Sequence, residues 1–137
     1  MKTYFVRYLV FGLILFAVVI GLGMVESNYK VQESFDDTSV TIKSRRYSMN
    51  VPYDMIAEAE LTEMPDRGDV VDGSDDMTVR TGHWNNEVWG EYYVCADPDS
   101  FNCVAMRLTD GRIFVFSLKN DETTAAAYQT LMHYLQK

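Results

Sequence analysis

The sequence has few of the residues that mark catalytic or metal sites. It contains two cysteines and two histidines in 137 residues, and the cysteines lack the C-x-x-C spacing of a zinc site. No serine lies in a G-x-S-x-G motif, and no G-x-x-x-x-G-K-[ST] phosphate loop is present. We therefore expect no catalytic residues, no metal and no cofactor, and we predict that the protein is not an enzyme.

Positive charge is also scarce. Lys and Arg number 12 against 20 Asp and Glu. Two of the basic residues precede Val25, so the chain from Val25 onward has a net charge of −10. A surface this acidic repels nucleic acid and anionic lipid. We expect no nucleic-acid partner and a protein partner instead.

Charged residues are absent from one stretch near the amino terminus. The 18 residues Tyr8–Val25 are uncharged, and as a helix they would measure about 27 Å against a hydrocarbon core of roughly 30 Å. Residues 1–25 are therefore predicted to be a transmembrane anchor, with a cleaved signal peptide as the alternative. The basic residues before the run favour a single-pass cell membrane protein whose following domain is extracytoplasmic.

Beyond the anchor, the sequence divides into a tether and one domain. Residues 26–38 show no period and predict a polar tether with a short strand near Tyr29–Val31. Residues 39–137 are long enough for a single modest core. Alternation over residues 40–51 predicts a hairpin, and residues 57–61 alternate as a third strand with one solvated face. Residues 52–56 between them predict one helical turn.

An acidic segment follows the third strand. Glu63–Asp76 contains five aspartates with Pro65, Gly68 and Gly73. Its aspartates do not match the alternate positions of a calcium-binding loop. We predict a solvated acidic loop, followed by a fourth strand over Met77–Thr81.

Three consecutive antiparallel strands are predicted over Gly90–Ser117. Asp110-Gly111 is a two-residue hairpin signal, and residues 96–102 form the other turn. The register that this turn suggests places Tyr92 opposite Met106 and Val94 opposite Val104.

The same register bears on the two cysteines. It sets Cys95 opposite Cys103, so it predicts a cross-strand disulfide, which an extracytoplasmic location would permit. Two unpaired thiols are the alternative.

A segment rich in aromatic residues, Gly82–Gly90, precedes these strands. It holds His83, Trp84 and Trp89 among small polar residues. One interpretation is a ligand-binding rim with stacking tryptophans. The other is that Trp84 or Trp89 plugs one end of a barrel.

The chain closes with an amphipathic helix to about Gln136. Asn120 or Asp121 is its predicted cap. Its apolar stripe consists of Ala127, Tyr128, Leu131, Met132 and Leu135. We predict a mainly β fold: a small antiparallel barrel or sandwich of six to seven strands, preceded by a transmembrane helix and capped by this helix.

Three segments carry a family resemblance. Pro52–Ile56, Gly82–Gly90 with the following Tyr92, and Asp110–Leu131 resemble the bacterial pleckstrin-homology-like (PH-like) domain family. The resemblance implies a binding or scaffolding fold, often beside membrane segments, without shared catalytic residues. The expected function is a membrane-anchored module that engages an envelope protein or peptide.

The resemblance also implies an alternative function. In eukaryotic relatives of this fold, a basic first hairpin loop can hold phosphoinositide headgroups. Lys43, Arg45 and Arg46 occupy the corresponding turn here. The alternative is a lipid-headgroup or small-ligand receptor that uses these cations or the tryptophan rim.

Overall fold

The computed structural model describes residues 7–17, 31–75 and 79–137. Residues 7–17 are helical with exposed side chains and are labelled α1. Among the described residues, no helix combines the length and the apolarity that a membrane span requires. Residues 1–6 and 18–30, which include the rest of the predicted anchor and the first five residues of the predicted tether, lie outside the described residues.

The remaining described residues form two sheets and a carboxy-terminal helix, so the predicted mainly β class is confirmed. This part of the chain contains nine strands rather than six or seven. The elements are β1 Gln32–Phe35, β2 Ser39–Lys43, β3 Ser48–Pro52, a 3-10 turn Tyr53–Met55, β4 Ile56–Glu63, β5 Asp69–Asp75, β6 Arg80–Asn86, β7 Gly90–Ala96, β8 Asn102–Leu108, β9 Ile113–Ser117 and α2 Asp121–Leu135.

The first three strands form an antiparallel sheet in chain order. The predicted hairpin is confirmed as β2 and β3, and the predicted helical turn as the 3-10 turn after it. β1 lies in the predicted tether. It turns into β2 at Asp36, whose Oδ1 accepts the N–H groups of Thr38 at 2.8 Å and Ser39 at 2.7 Å. These bonds lower the pKa of Asp36.

The second sheet has the order β4-β8-β9-β7-β6-β5. β9 lies between β7 and β8, parallel to β7 and antiparallel to β8. The predicted pairing of β7 with β8 is therefore wrong: Met106 lies opposite Phe114, and Val94 lies opposite Val115. All five residues of β9 are buried, and so apolar a strand is most stable where neighbours cover both its edges and both its faces.

The acidic segment is a second correction. Residues 69–75, predicted as part of a loop, form the edge strand β5, paired with β6. The two main chains approach closely at Gly82, where a Cβ atom would lie 2.4 Å from the Asp72 carbonyl oxygen. Gly82 also has φ +100°, which favours glycine. β6 begins at Arg80, and residues 77 and 78 of the predicted fourth strand lie outside the described residues.

The six-stranded sheet must curl. Residues 64–68 connect β4 to β5, which lie at opposite edges. A flat sheet of six strands would be about 24 Å wide between its outer strands, whereas this link reaches at most about 21 Å. The link is fixed to the sheet, because Tyr92 Oη donates to the Arg67 carbonyl oxygen at 2.7 Å and Asn86 Nδ2 to that of Asp66 at 3.0 Å.

The two faces of the curled sheet have separate cores. The small sheet and α2 pack on one face, where Ala127 and Leu131 of α2 are buried. Trp84, Tyr92 and Val115 belong to the core on the other face. The predicted helix is confirmed, and Asn120 caps it: its side chain accepts the Thr123 N–H at 2.8 Å.

Both cysteines are free thiols. Cys95 lies in the core under α2 and Cys103 in the core on the other face. β9 separates their strands, which places the Cα atoms beyond the approximately 7 Å limit for a disulfide. The predicted disulfide is therefore not formed. Burial raises the pKa of each thiol to about 12.

Candidate functional site

The predicted rim residues do not form one site. His83 and Trp84 are adjacent on β6, so their side chains point to opposite faces. The His83 ring stacks on Tyr93, with centroids 4.6 Å apart. Its Nε2 lies 3.8 Å from the nearer Glu91 carboxylate oxygen.

Trp84 fits the alternative interpretation of a plug. It is 4% exposed, and its Nε1 donates to the Thr81 carbonyl oxygen at 3.0 Å. The guanidinium groups of Arg80 and Arg67 lie over its ring, 5.6 and 5.9 Å from the centroid. Two cations therefore already lie over the ring that a stacking ligand would need.

Trp89 is partly exposed, but the cavity beside its ring is small. Its ring meets Tyr92 edge-on, with centroids 5.0 Å apart. The adjacent cavity, which Glu60 and Arg107 also line, holds about 100 Å³. Pockets for drug-sized ligands are typically about 300 to 1,000 Å³, so this cavity is too small for one.

The three predicted basic residues share the exposed end of the β2–β3 hairpin. Lys43 ends β2, and Arg45 and Arg46 lie in the turn. The Ser44 N–H closes the turn by donating to the Tyr47 carbonyl oxygen at 2.8 Å. Exposed hairpin ends commonly carry such charges. The three residues line neither the cavity beside Trp89 nor the larger groove between β4 and α2.

A larger groove lies between β4 and α2. It has a volume of about 680 Å³, within the range typical of ligand-binding pockets. One wall is the start of β4, the other is the end of α2, and the β1–β2 and 3-10 turns close one end. The lining residues are Asp37, Tyr53, Asp54, Ile56, Ala57, Glu58, Ala59, Met132, Tyr134, Leu135, Gln136 and Lys137.

The β4 wall of the groove is the free edge of a strand. Four consecutive residues, Ile56–Ala59, line it. The register of β4 on β8 shifts between Ile56 and Glu58, so Ala57 is the extra residue of a β-bulge. Ile56 and Ala59 pack against the core under α2, whereas Glu58 pairs with the exposed Arg107, so a groove that touches all four residues runs along the strand edge. β4 is the outermost strand of its sheet, with β8 as its neighbour. The outward main-chain groups of β4 therefore face the groove.

Stacked aromatic rings form the closed end of the groove. Tyr134 of α2 stacks on Tyr53, with centroids 5.1 Å apart, and on Phe35, at 5.7 Å. Tyr53 Oη donates to the Asp36 carbonyl oxygen at 2.8 Å, which fixes this ring. Desolvation, with smaller contributions from Tyr134 and the neighbouring aspartates, raises the pKa of Tyr53 to about 12.

The groove is acidic. Asp37, Asp54 and Glu58 line it, against one basic lining residue, Lys137. Glu58 pairs with Arg107 of the neighbouring strand β8, at 3.0 Å between Oε1 and Nε. Within the described ranges, neither aspartate takes part in an ion pair. The groove therefore favours a ligand with positive charge.

Sequence reasoning missed this site because its walls come from distant parts of the chain. One signal was present, namely the alternation of Ala57, Ala59 and Leu61 with Glu58 and Glu60. Such alternation predicts a strand with one acidic face, but not that the strand is at a sheet edge. The helix pattern likewise did not show that Tyr134 and Lys137 face β4.

Comparison of the chain with family models, curated proteins and solved structures finds no significant match.

Proposed function

We propose that this protein is a non-enzymatic peptide-binding module. An extended segment of a partner protein adds to the free edge of β4 and lies in the groove beside α2. The single observation that carries this proposal is the lining of the groove by four consecutive β4 residues. In strand addition, main-chain hydrogen bonds supply affinity and side-chain pockets supply specificity.

The groove distinguishes β4 from the other sheet edge. β5 is also an edge strand, but all seven of its residues are exposed, so a strand added there would gain little beyond main-chain bonds. A strand added to β4 also meets Met132 and Leu135 of α2. The four lining residues of β4 match about 13 Å of extended chain, or four residues of the partner.

The partner segment alternates apolar and basic residues. Ile56, Ala59 and Leu61 pack towards the core under α2, so the partner side chains beside them on this face are apolar, whereas Asp37 and Asp54 at the end of the groove favour a basic one. Glu58 and Glu60 point to the opposite face, where basic side chains complement them. An acidic edge also disfavours pairing with a second copy of the same strand.

Two sets of N-methylated peptides test strand addition. The probe is a six-residue peptide of alternating valine and lysine, titrated against the full chain and followed by fluorescence anisotropy. An added strand directs alternate N–H groups to β4. N-methylation of one alternate set should therefore weaken binding about tenfold or more, and methylation of the other set should not.

Equal losses from both sets, or no loss from either, would contradict strand addition. A matched pair of variants then locates the binding. Ala57→Arg places a long cation in the groove and should abolish binding of the basic probe. Ala126→Arg makes the same change on the exposed side of α2, outside the groove, and should leave binding unchanged.

The expected location belongs to the same proposal. The apolar run Tyr8–Val25 anchors the module in a cell membrane with the domain outside the cytoplasm, so that the partner is an envelope protein. The relation to PH-like domains is likewise a proposal that rests on the sequence resemblance alone. Strand addition does not depend on either point.

A further inference from the structure

We infer that the closed end of the groove is a subsite for a lysine or arginine side chain of the partner, and that Lys137 of this chain competes for it. The inference rests on the proposed peptide-binding function and names the chemistry of one position of the ligand. It starts from an internal contact that places a cation in the groove.

Lys137 occupies the position that the partner cation would take. Its Nζ lies 5.0 Å from the centroid of the Tyr134 ring, within the distance at which an ammonium group is attracted to an aromatic face. Lys137 and Tyr134 both line the groove. The chain thus shows which kind of group this end of the groove accepts.

The ring is held in place before any ligand arrives. Tyr134 stacks on Tyr53 with an interplanar angle of 18° and on Phe35 with one of 2°. Tyr53 is tied to the β1–β2 turn through the Asp36 carbonyl oxygen. A fixed aromatic face loses little conformational entropy on binding.

Two carboxylates beside the ring add attraction for a cation. Asp37 and Asp54 are exposed, line the same end of the groove and lie outside the ion pairs of the described residues. The Asp36 carboxylate, by contrast, is used within its own turn. Either a lysine or an arginine would therefore find both an aromatic face and negative charge.

Lys137 competes with this cation in two ways. Its ammonium group covers the Tyr134 face, and its charge repels a second cation nearby. An exposed contact of this kind is readily displaced, so Lys137 should reduce affinity rather than block binding. Removing its charge should tighten the binding of a basic peptide by about two- to fivefold.

Two peptides and four chains test the inference. The alternating valine–lysine peptide and its valine–glutamine counterpart are titrated against the full-length wild type, Lys137→Gln, Tyr134→Leu and Tyr134→Phe. Lys137→Gln should bind the lysine peptide two- to fivefold more tightly and the glutamine peptide as the wild type does. Tyr134→Leu should reduce the preference for the lysine peptide by about two- to fivefold, and Tyr134→Phe, which keeps the ring, should retain the wild-type preference.

The outcomes separate this inference from the proposed function. If both peptides bind the wild type equally and Lys137→Gln changes neither affinity, the cation subsite is wrong and strand addition stands. If neither peptide binds the wild type, strand addition is wrong and the subsite with it. Because Lys137 is exposed, this variant reports on binding rather than on folding.

Discussion

Thr124 ties the start of α2 to the segment after β9 and to the turn between β7 and β8. Its side chain is fully buried. Oγ1 accepts the Leu118 N–H at 3.0 Å and donates to the Asn120 carbonyl oxygen at 2.8 Å. It also lies 3.1 Å from Ser100 Oγ. Thr124→Val keeps the shape of the side chain and removes these bonds.

The cost of this change follows from which groups lose a partner. The Asn120 carbonyl oxygen still accepts the N–H of residue 124, at 3.1 Å, and Ser100 Oγ still bonds to the Asn102 carbonyl oxygen at 2.7 Å. The Leu118 N–H, however, is left buried without an acceptor. One such donor costs about 2 kcal/mol, which lowers the Tm of a domain of this size by roughly 10 °C.

Urea unfolding of the full chain in a mild detergent measures this loss through the fluorescence of the tryptophans in the core. Thr130→Val is the matched control. Thr130 lies on the same helix but is exposed, and its Oγ1 donates only to the Ala126 carbonyl oxygen, at 3.1 Å. We expect the control to change the free energy of unfolding by less than about 0.5 kcal/mol. Equal losses in the two variants would refute the reasoning.

Three further predictions concern other parts of the fold. Hydrogen bonds from the Asn102 N–H and, second, from the Ser100 hydroxyl lower the pKa of Asp121. The stability that these bonds contribute is fully present above the ordinary carboxyl pKa and is lost as the pH falls through the lowered pKa. Asp121→Asn should therefore be less stable than wild type at pH 7 in urea unfolding, and the difference should narrow below about pH 4; a constant difference would contradict this. Both thiols should react with a thiol reagent only after unfolding and without any reductant, whereas a need for reductant would indicate a disulfide. Gly82→Ala should destabilise the protein by more than about 1 kcal/mol and speed hydrogen exchange in β5; Gly90→Ala, also at positive φ but with open space around the Cβ position, should cost less and leave β5 unchanged.

Local features of the fold could be predicted from the sequence. The hairpin of β2 and β3, the turn after it and the cap of α2 at Asn120 each depend on residues a few positions apart. Alternation, turn residues and capping signals determine such elements. The apolar stripe of α2 correctly predicted that Ala127 and Leu131 are buried.

The order of strands could not be predicted in the same way. Alternation in β7 and β8 is equally compatible with direct pairing and with a strand inserted between them. Direct pairing is excluded because the apolar strand β9 is most stable between two neighbouring strands, with both of its faces covered. That requirement concerns the whole sheet and not any one segment. β5 was missed because its aspartates and glycine are typical of loops. It is held instead by main-chain pairing to β6 and by the ion pair between Arg67 and Asp75.

The candidate site was missed for a related reason. The predicted site residues were chosen for their chemistry, as tryptophans, histidine and clustered cations. The groove is instead made by an open strand edge, which any residues can provide. Its position follows from the placement of α2 beside β4, and that contact joins segments far apart in sequence.

Hydrogen exchange along β4 tests strand addition most directly. Amide exchange of the full chain is measured by mass spectrometry and NMR, with and without saturating valine–lysine peptide. We predict that the peptide slows exchange of the outward-facing amides within Ala57–Ala59 and leaves the amides of β5 unchanged. The Ile56 N–H already donates to the Tyr53 carbonyl oxygen. Unchanged exchange in β4 at saturation, or protection of β5 instead, would contradict the proposal.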